Sequence, residues 1–349
     1  MRALPLLFLL TACATTGTGS TTSTPAGPNL IDERLKDHKT ALSSMKLRQR
    51  EHQVALQQYE NNKAKYELAV AGNLAATKND KRAISTLQGL AGDVDRIGQE
   101  LLLAVTQLDE ALVARAEAME RSAEAQARLI DVESEFWGGK DNAAAHAVVE
   151  VKYLHEVDME LRQAQKDEQA ALAALHAKEI AAWGVGNDSQ ARDVADQQLT
   201  ELRTALEQSF AKLLDEAKRH DDAEDRLHRK IHEATLAKSS EVGAKLQLLV
   251  DRRAMAGKEL AIARDHLKAA TISRGEKRAH EMAYDSEFAV VLTSAFKTDK
   301  QRNDFMQTVA APQAAYLDSR KKVQTEAEAV SEARKNLVTI EALIATLAY

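Results

Sequence analysis

Two aspartates and two histidines lie in one stretch of the chain at a spacing that could bind a metal ion. Asp221, Asp225, His228 and His232 follow one another at intervals of four, three and four residues. Residues three or four apart lie on the same face of an α-helix. Two histidines at i and i+4 can hold zinc or nickel, with a carboxylate one turn away as a third ligand. These four residues are the metal-ligating candidates of the sequence.

The same stretch also has the charge pattern of a solvated helix face. Asp222 precedes Arg226 by four residues, and Asp225 precedes Arg229 by four. Pairs at this spacing with the acid first stabilise exposed helices. This interpretation is favoured over the metal site, and the sequence therefore predicts neither a metal nor another cofactor.

The histidines of this stretch are accordingly expected to contribute little to the fold. If His228 and His232 are exposed, replacing both by Ala should change the free energy of unfolding by less than about 1 kcal/mol. His220 is different, because it lies on the apolar stripe of the same predicted helix. We predict it to be a partly buried core residue and not a ligand.

Other motifs that could support catalysis are incomplete. Residues 184–189 look like a dinucleotide-binding loop without its last glycine, and they follow a predicted helix where that fingerprint requires a strand. No nucleophile elbow and no phosphate-binding loop is present in the sequence. Three His-Glu pairs lack the second histidine of a zinc protease helix: His155-Glu156, His232-Glu233 and His280-Glu281. The sequence therefore predicts a protein that is not an enzyme.

The amino-terminal segment has the order of an export signal. Arg2 precedes an apolar run, and small residues precede Cys13, the only cysteine of the chain. Leu10-Thr11-Ala12-Cys13 resembles the lipobox of bacterial lipoproteins. The resemblance implies that residues 1–12 are removed as a signal peptide and that the thiol of Cys13 receives a diacylglycerol. The alternatives are an ordinary secretory signal cut near Ala14 or a buried apolar helix.

The resemblance also implies where the protein is held. The apolar run is far shorter than the ~20 residues that a membrane-spanning helix needs, so lipid would be the anchor. Two or more acyl chains bind a bilayer stably. Ala14 is not the aspartate that retains such proteins in the inner membrane of enteric bacteria. The implied location is the bacterial outer membrane, facing the periplasm or the cell surface.

A flexible tether is predicted to follow the acylated cysteine. Residues 13–30 are rich in Thr, Ser and Gly and show no apolar periodicity. The folded domain is then predicted to comprise residues 31–349. A coil of this length reaches about 20 to 25 Å on average, so it would lift the domain clear of the lipid headgroups.

Composition indicates long helices with a thin core. The chain is 44% hydrophobic and 29% charged but only 4% aromatic, a balance typical of coiled coils. The net charge of -6 is spread over both signs, so nucleic acid is not expected as a partner. With a single cysteine, no disulfide can form within the chain. Helix packing alone must stabilise the fold.

The positions of proline and the apolar repeats predict the helices. No proline occurs between Pro28 and Pro312, as uninterrupted helices require. The first helix is predicted for 31–71, ending at Gly72, and the second for 80–136, with Asp80 as N-cap. The second has an a/d stripe that Gly98, Arg115, Ser122, Gln126 and Glu133 interrupt, which favours a multi-helix bundle over a free two-stranded coil. The stripe comprises Ile84, Leu87, Ala91, Val94, Leu101, Val105, Leu108, Leu112, Met119, Leu129 and Phe136.

Glycine, asparagine and serine predict the breaks between later helices. Two similar loops, 137–142 and 183–189, each begin with a tryptophan and continue with glycines suited to a C-cap and with Asp, Asn or Ser as the next N-cap. Residues 189–272 are either one rod or a hairpin that turns at 239–243. Further breaks are predicted at Arg274-Gly275 and near Thr298-Asp299.

The last helix is predicted to contain a regular seam. Pro312 precedes it, and its apolar residues recur at intervals of seven. Ser319 and Glu326 hold the first two d positions. The seam residues are Tyr316, Val323, Val330, Leu337 and Ile344, with Ala333, Ile340 and Leu347 at later d positions. The apolar window 288–296 is predicted to be a core helix, because it is too short to span a membrane.

The sequence therefore predicts an all-α protein, an elongated bundle of about five to seven long helices with coiled-coil character. The expected function is that of a lipid-anchored, non-enzymatic structural or interaction lipoprotein of the bacterial cell envelope. Its expected partners are the membrane, through lipid at Cys13, and another envelope protein or the cell wall; a homo-oligomer is possible. The alternative is a helical pore-forming or secretion or efflux component.

Overall fold

A computed structural model describes residues 28–76, 81–182 and 189–347, which form eight α-helices and one 3-10 turn. The predictions for residues 1–27, for Asp80 and for the loop 183–188 lie outside the described residues. The helices are α1 (Pro28–Ala76), α2 (Lys81–Trp137), α3 (Lys140–Ala144), α4 (Val148–Ala182), α5 (Ser189–Leu236), α6 (Ser240–Ser294), α7 (Asp299–Thr308) and α8 (Ala310–Leu347), and the 3-10 turn is Ala145–Ala147.

The described part of the chain is an elongated all-α bundle, as the sequence predicts. Six helices have 35 residues or more, and α2 has 57. At about 1.5 Å per residue, α2 is about 85 Å long. Such a bundle buries a narrow seam along its whole length.

Neighbouring long helices run antiparallel. Lys46 of α1 pairs with Glu117 of α2, and Gln53 pairs with Asp109, so residue numbers rise along one helix while they fall along the other. The same relation joins α1 to α8, α2 to α6, α4 to α5 and α5 to α6. Helix α2 therefore lies at the centre, between α1 and α6.

The two ends of the bundle have different cores. Ile31 and Leu35 of α1 pack with Ile344 of α8, so α1 begins at the end where α8 finishes. The opposite end has the more aromatic cluster, in which Phe288 and Phe305 are buried together with Val70, Leu74, Ala83, Leu87, Ala295 and Val309. The window 288–296 contributes to this core as predicted, but α6 ends at Ser294, so its last two residues lie outside the helix.

The segment 189–272 is a hairpin and not a rod. The turn comes at residues 237–239, where the Ser239 hydroxyl accepts a hydrogen bond from the Val242 backbone N–H at 3.4 Å. A side chain on Gly243 would overlap the Leu236 side chain, so glycine lets the two helices meet closely here. The interruption predicted at 239–243 is therefore confirmed.

Two breaks predicted from glycine are wrong. Helix α6 continues through Gly275 to Ser294, and α1 continues through Gly72 to Ala76. One glycine inside a helix costs only about 1 kcal/mol relative to alanine. Packing against neighbouring helices outweighs that cost. Helix α1 also begins at Pro28, three residues earlier than predicted.

The turn after Trp137 is confirmed only in part. Gly138 has φ 75° and Gly139 has φ 142°, values that favour glycine and fit the predicted C-cap. Asp141 is not the next N-cap, because Gly139 holds that position and Asp141 lies inside the first turn of α3. The stretch between the two predicted loops is also divided, by the 3-10 turn between α3 and α4.

The predicted seams are buried only in part, and the buried positions include several polar ones. Ile84, Leu108, Met119 and Phe136 of α2 and Tyr316, Val330, Ala333 and Ile340 of α8 are half-buried. Gly98, Ser122, Gln126 and Glu133 of α2 are as buried as the leucines of the same stripe. In α8 the residues Val323, Leu337 and Ile344 are buried, and Ser319 with them. Pro312 lies in the first turn of α8, where a missing backbone N–H costs nothing. The break near Thr298 is confirmed, since the Thr298 hydroxyl caps α7.

A charge placed in the α8 seam should open the bundle. Leu337 is buried among Leu42, Met45, Leu112 and Phe210. We expect Leu337→Asp to lower the free energy of unfolding by about 3 kcal/mol or more, because an unpaired carboxylate would be buried. Leu317→Asp, at an exposed position of the same helix, should cost less than about 0.5 kcal/mol. Urea unfolding followed by circular dichroism measures both; equal costs would contradict the described seam.

Candidate functional site

The structure places the four candidate metal ligands on α5, but not on a solvated face. His228 is 1% exposed and His232 is 7% exposed. Asp221 and Asp225 are half-buried. The expectation of exposed surface charge is therefore wrong for these four residues, although Asp222, Arg226 and Arg229 of the same stretch are exposed. The physical reason is that α5 packs against α4, α6 and the end of α2, and the face that carries these four residues is turned toward those helices.

A polar cluster joins α5 to α6, and we call it the α5 cluster. It consists of His220, Asp221, Glu224 and Asp225 of α5 with Arg253 and Arg264 of α6. The buried Arg253 guanidinium contacts both Glu224 and Asp225. Arg264 donates to Asp221 at 3.1 Å. The prediction that His220 lies in the core is confirmed, since it is buried beside these carboxylates.

The carboxylates of the α5 cluster differ in protonation behaviour. Burial alone would raise the pKa of Asp221, but the nearby His220 ring, 4.0 Å away, and the charges of Arg264 and Arg253 outweigh it and lower that pKa. The pKa of Asp225 is instead raised, chiefly by burial. Burial also lowers the pKa of the Arg264 guanidinium. Asp221 is therefore held as a carboxylate by its arginine partners.

The α5 cluster contains three side chains that are close enough to share a metal ion. Ligand atoms of His220, Asp221 and Glu224 lie within 4.8 Å of one another. Two of these three already bind cations, because Asp221 pairs with Arg264 and Glu224 contacts Arg253. A divalent ion there would face two guanidinium groups. The arrangement is suited to linking helices by ion pairs.

The four residues selected from the sequence do not converge on one point. Asp221 pairs with Arg264, Asp225 contacts Arg253, and His228 faces α2. The His228 Nδ1 lies 2.9 Å from a carboxylate oxygen of the buried Glu133. With Glu133 ionised, that ring nitrogen carries the proton and donates. His228 thus fixes the end of α2 to α5.

A cleft between α5 and α6 opens next to the α5 cluster. Its volume is about 620 Å³. Charged side chains of both signs line it, among them Asp215, Lys218, Lys258 and Asp265. Such a lining does not select one sign of charge in a ligand.

A second buried polar cluster lies between α1 and α6, and we call it the Lys63 cluster. Lys63 is 1% exposed, and its ammonium group lies 3.1 Å from Glu281 and 2.5 Å from Asp285. The same group lies 5.2 Å from the centre of the Tyr284 ring, within the range of a cation–π contact. The cluster comprises Glu60, Lys63, Glu67, Arg278, Glu281, Tyr284 and Asp285.

Four carboxyl groups face two cations in the Lys63 cluster. Burial would raise the pKa of Glu281, but Arg278 and Lys63 outweigh it and lower the pKa to about 2. Burial raises the pKa of Glu60 to about 9 and that of Glu67 to about 8. Burial also raises the pKa of Asp285. Near pH 7 Glu60 and Glu67 are therefore protonated, while Glu281 stays ionised between Lys63 and Arg278.

Gly98 of α2 is what lets Glu60 lie inside the bundle. A side-chain carbon on Gly98 would come within 2.5 Å of a Glu60 carboxyl oxygen. Neither Glu60 oxygen has a hydrogen-bond partner among the described residues. Glu60 is therefore a buried carboxyl group whose ionisation nothing in direct hydrogen-bond contact would stabilise.

Sequence reasoning missed most of these buried groups. Lys63 follows Tyr59 by four residues and precedes Val70 by seven, which places it on the apolar stripe of α1. Gln126 and Glu133 interrupt the α2 stripe, and the structure pairs them with Glu224 and His228 of α5. A charged or amide residue within an apolar heptad stripe was thus the sequence signal for a buried polar group that pairs with another helix.

Comparison of the chain with known protein families, curated proteins and solved structures gave no match.

Loss of the buried His228 ring should destabilise the fold far more than loss of an exposed histidine ring. His228→Ala would leave Glu133 buried without its partner, so we expect the free energy of unfolding to fall by about 3 kcal/mol. His266→Ala, on the exposed face of α6, should cost less than about 0.5 kcal/mol. Urea titration measures both variants. Equal small effects would restore the interpretation of His228 as surface charge.

Replacing Glu60 by Gln should change how the free energy of unfolding depends on pH. The pKa of Glu60 is raised by burial to about 9, whereas an unfolded glutamate titrates near ~4.3. The stabilisation from the protonated group is full below the unfolded pKa and is lost as pH rises toward the folded pKa. We expect Glu60→Gln to match the wild type within about 1 kcal/mol at pH 5 and to exceed it at pH 8 by on the order of 3 kcal/mol.

Urea unfolding at both pH values measures this difference. Glu33→Gln, on the exposed face of the same helix, is the matched control and should follow the wild type at each pH. A Glu60→Gln variant with unchanged pH dependence would show that Glu60 is ionised in the folded bundle.

Proposed function

We propose that the protein is a lipid-anchored, non-enzymatic structural or interaction lipoprotein of the bacterial outer membrane. In this function lipid at Cys13 holds the chain on the membrane, and residues 14–27 connect it to the helical bundle. The bundle then contacts another envelope protein or the cell wall. The lipobox-like sequence supports the anchor, and the fold supports the role of a spacer.

One structural observation carries the proposal. Helix α1 begins at one end of the bundle, and the long helices reach from there to the cluster around Phe288 and Phe305. An anchor attached before residue 28 would therefore hold the bundle by one end. At about 1.5 Å per residue, the 57 residues of α2 give a reach of about 85 Å.

The buried charges support a structural role for the bundle. The α5 cluster connects α5 to α6, and the Lys63 cluster connects α1 to α6. His38 of α1 lies between Glu120 of α2 and Glu341 of α8 at 3.6 and 3.4 Å. These groups face one another and hold the helices in register. Such a bundle is suited to act as a spacer that holds its two ends a fixed distance apart.

Among the described helices, none combines the length and the apolarity of a membrane-spanning segment.

Acylation of Cys13 tests the anchor directly. Cells fed an alkyne fatty acid should label the wild-type protein, and Cys13→Ser should remove the label, because the chain has no second cysteine. Ser23→Ala, in the predicted tether, is the matched control and should keep the label. Fractionation should place the wild type and Ser23→Ala with the outer membrane and release Cys13→Ser. Equal labelling of Cys13→Ser and the wild type would overturn the proposal.

A further inference from the structure

An apolar stripe runs along the outer face of α6. Leu248, Met255 and Ile262 are 54%, 60% and 57% exposed and recur every seventh residue. They lie on the side of α6 opposite to Leu246 and Leu260, which are buried against α2. A repeat of seven keeps side chains on one face of a helix, as in a coiled-coil seam. We call these three residues the α6 stripe.

We propose that the α6 stripe pairs with the α6 stripe of a second copy of this chain, with the two helices antiparallel. Leu248 and Ile262 lie seven residues on either side of Met255. A two-fold axis at Met255 therefore brings the two Met255 side chains together. It also places each Leu248 opposite Ile262 of the partner subunit. Such an interface is self-complementary, as two-fold symmetry requires.

The charges beside the α6 stripe fit this arrangement. Exposed Asp251 and Lys258 lie along one flank, and exposed Arg252 and Glu259 along the other. Asp251 precedes Met255 by four residues and Lys258 follows it by three. The two-fold axis therefore brings each Asp251 beside Lys258 of the partner subunit. It likewise brings each Arg252 beside Glu259 of the partner subunit. All four contacts join opposite charges, which favours this register.

Another exposed apolar stripe does not have this property. Leu47, Val54 and Leu68 of α1 are also exposed at multiples of seven, but Asn61 holds the position between the last two. A two-fold axis midway along that stripe would place Val54 opposite Asn61 of the partner subunit. Burying an amide that lacks a hydrogen-bond partner costs free energy. The unbroken apolar repeat and its flanking charges therefore favour α6 as the surface for self-association.

Cysteine cross-linking tests the register. The full-length chain carries Cys13→Ser, so each introduced cysteine is the only thiol. We expect Met255→Cys to form a disulfide-linked dimer under mild oxidation, because the two copies meet at the two-fold axis. Leu248→Cys alone should give little disulfide-linked dimer, since its two copies would lie about 21 Å apart, beyond the reach of a disulfide. Adding Ile262→Cys to Leu248→Cys should restore cross-linking.

Charge reversal tests the same contact without covalent chemistry. In sedimentation velocity we expect Asp251→Lys to weaken dimerisation about tenfold, because two lysines would face each other at each of two symmetric positions. The combination of Asp251→Lys with Lys258→Asp should restore it. This pair is chosen because Glu259 also pairs with Arg121 of its own chain at 3.0 Å.

The proposal is overturned by any of three results. One is a chain that stays monomeric while its circular dichroism shows the folded bundle. Another is Leu248→Cys cross-linking as well as Met255→Cys, which would indicate a parallel pair. The third is a double charge reversal that fails to restore the dimer. None of these results bears on the acylation of Cys13, so the anchor and the self-association are tested separately.

Discussion

The fold depends on matching buried charges between helices. The core is narrow and has few aromatic side chains, so charged groups such as Lys63, Arg253 and Glu281 lie inside it. A buried charge without a partner costs several kcal/mol, and sliding one helix past another would separate these partners. Leucine and alanine contacts alone would tolerate such a shift far better. The ion pairs therefore specify the register of the antiparallel helices, while the apolar seam supplies most of the burial.

The sequence predicted the class of fold and several helix ends because those depend on local chemistry. Ser239 and Thr298 cap helices through their own hydroxyls, and proline is missing between residues 28 and 312, so these signals are readable from neighbouring residues. Gly72 and Gly275 led to wrong predictions of helix breaks, because a single glycine is a weak local signal that packing overrides. Asp141 misled in a similar way, since the preceding glycine already ends one helix and begins the next.

The buried clusters were less predictable because they depend on residues far apart in the chain. His228 meets Glu133 across 95 positions, and Lys63 meets Glu281 across 218. Acid-first pairs along α5 resembled a solvated face, yet the partner of Asp225 is Arg253 of the next helix. Polar residues in the α2 stripe did indicate a multi-helix bundle. They could not indicate which helix supplies the partner, since that requires the tertiary arrangement.

The common end shared by the start of α1 and the finish of α8 has a mechanical consequence. Ile31 and Leu35 touch Ile344 there, so a pull applied between residues 28 and 347 would peel the two helices apart one contact at a time. A pull between residue 28 and the end around Phe305 would instead load the contacts of α1 in shear, with His38 and Lys63 sharing the load. The bundle is therefore weak to unzipping at one end and resistant to tension along its length.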